Sequence, residues 1–199
     1  MRLTVKNSRG FTLMEIMVVL GILGMVMGLA IPKIKKSNSN IKSVMREISV
    51  LSIETRVHAR LKNATYRIVF TMQGKKQTYH VESSNHEVKI QSESTLKYFE
   101  SLSKEDKPNS PFQNDTSFLK KEQDLPEALF FKSIETSTHS EPITKGDAYI
   151  YYSPDGLVDQ AVVQVTDGKD LTWSLIFNPL TGHADLIPKA VTLKDLEVR

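Results

Sequence analysis

Apolar residues follow three different periods along this chain, and each period predicts a different element. From Phe11 to Ile31 the residues read FTLMEIMVVLGILGMVMGLAI, 21 positions with a single charge at Glu15. Such a run predicts a helix about 31 Å long at roughly 1.5 Å per residue, which matches a bilayer core of about 30 Å. After Pro32 the apolar positions thin to Ile34, Ile41, Val44, Met45, Ile48, Leu51 and Leu61, mostly three to four apart, as an amphipathic helix packed on a sheet requires. Leu20 to Leu61 therefore predicts one long helix. Its weak point is Ser37-Asn38-Ser39-Asn40, because Ser and Asn compete for backbone hydrogen bonds, with Asn40 placed to cap the helix beyond a break there.

Beyond residue 63 the period falls to two. Ala64 to Glu82 predicts a β-hairpin with Tyr66, Ile68, Phe70 and Met72 on one face, a Gln73-Gly74-Lys75 turn, and Tyr79 and Val81 on the return. Ser83 to Asp124 is polar, with Pro108 and Pro111, and predicts a long loop or insertion with a helix around Ser94 to Leu102. The last third predicts strands at Ala128 to Thr136, Ala148 to Ser153, Gln160 to Thr166, Thr172 to Asn178 and His183 to Ile187. Between them lie turns at Pro154-Asp155-Gly156, Asp167-Gly168 and Pro179-Leu180-Thr181-Gly182. The fold class expected is α+β: a long N-terminal helix, its first half transmembrane, packed on a C-terminal antiparallel β-sheet or small β-sandwich.

The apolar run admits several readings. A cleaved secretory signal wants an apolar stretch of about 7 to 15 residues and a small-residue cleavage site; Gly28-Leu29-Ala30 imitates the site, but the run is too long. A plain signal anchor has no use for Glu15, since a carboxylate at bilayer depth costs about 2.5 kcal/mol or more without a partner. A soluble core helix so uniformly apolar needs burial all round its circumference. The residues that discriminate are Arg9-Gly10-Phe11-Thr12-Leu13-Met14-Glu15, and here the chain resembles the type IV pilin and type II secretion pseudopilin family. In that family a prepilin peptidase cuts after the glycine, the new N-terminal residue, commonly Phe, is N-methylated, and the fifth mature residue is Glu. Gly10, Phe11 and Glu15 stand at those spacings.

The resemblance implies a leader over residues 1–10, a transmembrane helix over 11–31 and an amphipathic continuation over 32–62. A β-rich periplasmic domain follows over 63–199, with a polar insertion at about 83–124. It implies N-methylation at Phe11 and a subunit-assembly role for Glu15, whose carboxylate approaches the N-terminal amine of a neighbour. It also implies a helix kink at Pro32, whose ring clashes with the preceding turn. The partners implied are a prepilin peptidase, other pilin-like subunits and an inner-membrane assembly platform. Lys33, Lys35 and Lys36 follow the run as closely as Arg2, Lys6 and Arg9 precede it, so charge does not orient the span; the family places the leader in the cytoplasm and the C-terminal domain in the periplasm. Within residues 126–188, YYSPDG and then WSLIFNPLTGHADLI are similar to the H-type minor pseudopilins of type II secretion and to related minor pilins. Two alternatives stand beside that reading: a minor pilin of a type IV pilus, in pilus assembly or DNA uptake, and a membrane-anchored periplasmic enzyme or ligand-binding domain.

Composition narrows the chemistry. The net charge is +3, and loss of Arg2, Lys6 and Arg9 with the leader leaves 23 residues of each sign, which argues against binding nucleic acid through phosphate contacts. Cysteine is absent, which removes disulfides, thiolate metal sites and thiol nucleophiles. His58, His80, His86, His139 and His183 lack the spacing of a zinc helix and read as surface or satisfied histidines. Asp155-Gly156 and Asp167-Gly168 sit in no EF-hand pattern and read as turn residues. Trp173, Tyr149, Tyr151 and Tyr152 alternate with apolar residues and read as sheet faces. No phosphate loop or nucleophile elbow is present, so no metal, cofactor or enzyme activity is expected.

Overall fold

The computed structural model describes residues 12–74, 76–84, 111–117, 122–139 and 141–197, without the side chains of residues 26–39. The chain forms two compact units, residues 1–39 and 40–199. Helix α1 (Leu13–Lys62, 50 residues) gives its first part to one unit and its remainder to the other. Its start at Leu13 falls inside the helix expected from residue 11, and its range includes Pro32 and Ser37 to Asn40.

The second unit is built on two antiparallel sheets. Strands β1 (Tyr66–Thr71), β2 (Thr78–Ser84), β3 (Phe112–Asn114), β4 (Gln123–Asp124), β5 (Phe130–Thr136), β6 (Asp147–Tyr152), β7 (Ala161–Thr166), β8 (Thr172–Phe177) and β9 (Ala184–Ile187) are followed by a short helix α2 (Leu193–Glu197). The first sheet runs β3-β2-β1-β6, with β4 sharing the outer edge of β2 beside β3; the second runs β5-β7-β8-β9. The expected hairpin is present, with Ile68 opposite Val81 and Phe70 opposite Tyr79.

Two expectations are corrected. The stretch read as a loop from Ser83 to Asp124 carries β3 and β4 at its far end; these strands are too short to show a period of two. Residues 85–110 and 118–121, including the helix expected around Ser94 to Leu102, lie outside the described residues. The strand expected at Ala148 to Ser153 is present as β6 and pairs with β1, Ile68 opposite Ile150. The other correction is Leu61, which is 77% exposed and does not belong to the buried stripe. That stripe continues instead through Ser52, Thr55 and Ala59, each fully buried.

The polar members of the stripe fasten the helix to both sheets. Ser52 Oγ donates to Gly182 O (2.7 Å) and accepts from Tyr152 Oη (2.9 Å), while Ser49 Oγ donates to Ala184 O (3.0 Å). Arg56 adds Nε to Gly156 O and Nη2 to Leu180 O, both 2.7 Å. Each net bond is worth about 1 kcal/mol. The helix therefore holds the two turns that the sequence marks with Pro-Asp-Gly and Pro-x-x-Gly. Both glycines are left-handed, φ +88° at Gly156 and +68° at Gly182, and a Cβ at either would come within 2.6 Å of Cδ of Arg60 or Arg56. The turn and the helix side chain above it thus require glycine together.

One side chain in this unit is strained electrostatically. Burial between β6 and β7 pushes the Asp159 carboxyl from 3.8 up to about 6, against the Tyr151 N–H and His139, which pull it down. A carboxyl with a raised folded-state value stabilises the fold below about 4, and that contribution is lost as the pH rises through 6. Asp159→Asn is therefore expected to raise stability at pH 7 by about 1–3 kcal/mol and to make no difference at pH 4. Denaturant midpoints of the two proteins at both pH values check this.

Candidate functional site

The residues that carry chemistry in the sequence gather at the start of α1. Thr12 precedes the first helical residue, and its O accepts from Glu15 N (3.1 Å) and Ile16 N (3.3 Å), while its Oγ1 accepts from Glu15 N at 3.3 Å. Thr12 is thus the N-cap of α1. Thr12-x-x-Glu15 has the sequence of a capping box, in which a threonine oxygen satisfies an otherwise orphaned N–H of the first turn. The acidic residue also sits where the helix dipole favours negative charge. Sequence reasoning missed Thr12, although the three-residue spacing to Glu15 was the available signal. Gly10 and Phe11 lie outside the described residues, as does the side chain of Pro32.

After this cap, apolar side chains stand exposed around the helix. Leu13 and Met14 are 77% and 78% exposed, and Ile16, Met17, Val18, Val19, Leu20, Ile22, Leu23 and Met25 are all exposed as well. Monomeric soluble proteins seldom leave so long an apolar surface uncovered. Among the described residues no helix is long and apolar enough to cross a membrane. The described side chains of this run end at Met25.

In the second unit a charged cluster occupies the outer face of the first sheet. Arg67 on β1 donates Nε to Glu82 Oε2 at 2.7 Å and lies 2.6 Å from it through Nη2. Its guanidinium stands 4.1 Å from the Phe112 ring centroid and 4.3 Å from that of Tyr149. Burial pushes the Glu82 carboxyl up, but the His80 hydrogen bond and Arg67 more than offset it and hold it below the usual range. His80, expected as a surface or satisfied histidine, is buried beside Glu82. The turn aspartates behave as expected: Asp167 Oδ1 accepts from Lys169 N and Leu171 N. Among the described residues no three His, Asp or Glu side chains group as metal ligands.

Residues 5–31 match the family described as the prokaryotic N-terminal methylation motif. The chain carries a prepilin-type N-terminal signal. This prepilin-type signal takes in Gly10, Phe11 and Glu15 and ends one residue before Pro32, so the whole second unit lies beyond it. A prepilin-type signal implies cleavage by a prepilin peptidase, a membrane-anchored N-terminus and assembly with other pilin subunits. No curated protein and no solved structure matches the chain.

Proposed function

We propose that this protein is a minor pseudopilin, a non-enzymatic structural subunit of a type II secretion pseudopilus that serves protein export across the outer membrane. The observation that carries the reading is Gly10-Phe11 followed by Glu15 inside the matched signal. In this reading the peptidase removes residues 1–10 and methylates Phe11. Residues 11–31 anchor the mature chain in the inner membrane with the two-sheet unit in the periplasm, and the pilin-like fold is completed by α1 lying on those sheets. The all-round exposure of apolar side chains from Leu13 to Met25 supports it, because lipid or the helices of other subunits would cover that surface. Thr12 capping lets the helix begin two residues after the new N-terminus.

The reading as secretion draws on the H-type likeness of residues 126–188, which related minor pilins share, and on the balanced mature charge of 23 basic and 23 acidic residues, which disfavours a DNA-uptake pilus. The structure adds a reason for two elements of that pattern, since Gly156 and Gly182 are where the turns pass beneath Arg60 and Arg56. The reading is tested by mass spectrometry of the membrane-extracted N-terminus in cells with and without a prepilin peptidase. A chain beginning at methylated Phe11 only when the peptidase is present is the expected result. Cleavage after Ala30, or none, overturns it. Loss of protein secretion with piliation intact in a deletion strain separates the pseudopilus from the pilus.

A further inference from the structure

A histidine held between two carboxylates lies at the edge of the first sheet. His80 projects from β2, its side chain 11% exposed, with Nε2 3.3 Å from Glu82 Oε1 and Nδ1 3.3 Å from Glu122 Oε1. Glu82 belongs to the same strand, whereas Glu122 immediately precedes β4. Nδ1 is buried and makes no hydrogen bond among the described residues, its approach to Glu122 lying off the hydrogen-bond line. A buried ring nitrogen in that position calls for a physical reason.

The reason lies in the proton count of imidazole. A neutral ring carries one N–H, so whichever nitrogen holds it, the other turns a lone pair toward a carboxylate. The imidazolium alone offers a donor to each side. The surroundings are arranged for it. From β1, Arg67 puts Nε and Nη2 on Glu82 Oε2 and leaves Oε1 to His80. From β6, Tyr149 and Tyr151 pack on Arg67; from β3, Phe112 is neutral; beside β4, Asp124 is occupied by Lys76 at 3.4 Å. Arg67, Glu82 and Glu122 together carry one net negative charge, which the imidazolium cancels.

What the second carboxylate holds is a weakly attached segment. β4 pairs with β2 through only Thr78 opposite Asp124 and Tyr79 opposite Gln123, and Leu125 N donates to Gln77 O at 2.9 Å. Leu125 is buried in the core and fixes the far end. Few backbone bonds and an exposed position mark a segment of low local stability, in which one ion pair is a large share of the attachment.

We propose that His80 is a proton-operated latch: its imidazolium ties Glu122 to Glu82 and so keeps the 122–124 segment on the β2 edge, and loss of the proton frees that segment and bares the edge at Thr78 and Tyr79. Release is a local fraying up to the Leu125 anchor, and the rest of the sheet stays closed. A bared strand edge is a surface on which another extended segment pairs, so the latch makes that edge available in one protonation state and covers it in the other.

The test is amide hydrogen exchange on the full chain in detergent, corrected for the intrinsic effect of pH, with the His80 ring titration followed by NMR on the same sample. Protection of the 122–124 amides is expected to fall about tenfold as the ring loses its proton, while the Leu125 and β7 amides stay unchanged. His80→Gln (H80Q) is expected to remove that pH dependence. Glu122→Gln (E122Q), at a half-exposed position that the fold tolerates, is expected to flatten it too. A ring that titrates while protection over 122–124 stays constant overturns the proposal. So does the same pH dependence persisting in H80Q or E122Q, which would assign it to another group such as Asp159.

Discussion

Glu15→Val (E15V) is expected to leave cleavage between Gly10 and Phe11 and the folding of the two-sheet unit intact while lowering recovery of the protein in sheared filament fractions by about tenfold or more. The cap of α1 does not depend on the glutamate side chain, because Thr12 Oγ1 accepts from the backbone N–H of residue 15. The helix therefore starts at the same place in the variant. What the variant loses is a carboxylate which, at bilayer depth, costs about 2.5 kcal/mol or more until it meets a positive partner. In the proposed assembly that partner is the amine of a neighbouring Phe11, and a pairing worth even 1.4 kcal/mol is about a tenfold factor in occupancy. The variant should thus sit in the membrane more comfortably and leave it less readily. Glu15→Gln, which keeps the shape and drops the charge, should behave as valine does if charge pairing is the operative force. Normal filament incorporation of both variants would remove Glu15 from the assembly step and leave it as a first-turn helix residue.

How far the sequence exposes this structure depends on the range over which each signal acts. The hairpin of β1 and β2 shows in the sequence because Tyr66, Ile68 and Phe70 alternate across a turn only a few residues long. Strands β8 and β9 follow for the same reason, each lying beside its predecessor in sequence. The pairing of β6 with β1 is not legible, since partners some eighty residues apart leave no local trace. Nor do β3 and β4, whose two or three residues are held by the edge of β2 rather than by their own pattern.

The helix shows the same limit at the level of single residues. Hydrophobic periodicity picks out Ile41 to Leu51 correctly and then misplaces the stripe onto Leu61. From Ser52 onward the buried positions are small or polar and are satisfied by Gly182 O, Tyr152 Oη and Leu51 O. The signal at Gly10, Phe11 and Glu15 could be read because a peptidase recognises it in sequence. The cluster of Arg67, His80 and Glu82 could not, because its members look like the ordinary exposed positions of a strand until the rings of Phe112 and Tyr149 are brought over them.

That cluster carries the largest stability effect expected in the second unit. Arg67→Met (R67M) should destabilise it by about 3–5 kcal/mol, the usual consequence of removing one partner from a buried ion pair. The methionine fills much of the space between Phe112 and Tyr149, so the loss is mainly electrostatic. Glu82, its side chain 14% exposed, keeps His80 beside it but loses the guanidinium, and its desolvation is no longer compensated. For a unit of this size such a change lowers the melting temperature by roughly 10 °C or more, which near-ultraviolet circular dichroism of Trp173 in the detergent-extracted chain can follow. Because Arg67 and His80 depress the Glu82 carboxyl, the stability that the pair supplies is present at neutral pH and is lost as the pH falls through the folded-state value; the gap between R67M and the parent should narrow in acid. Replacing both partners, as in R67M with Glu82→Leu, should recover most of the loss, since apolar pairs of similar volume often equal buried ion pairs. If R67M alone costs less than about 1 kcal/mol, the guanidinium is solvated and the outer face of the first sheet is open to water. If instead the double variant is no more stable than R67M, the cost lies in lost packing around the rings.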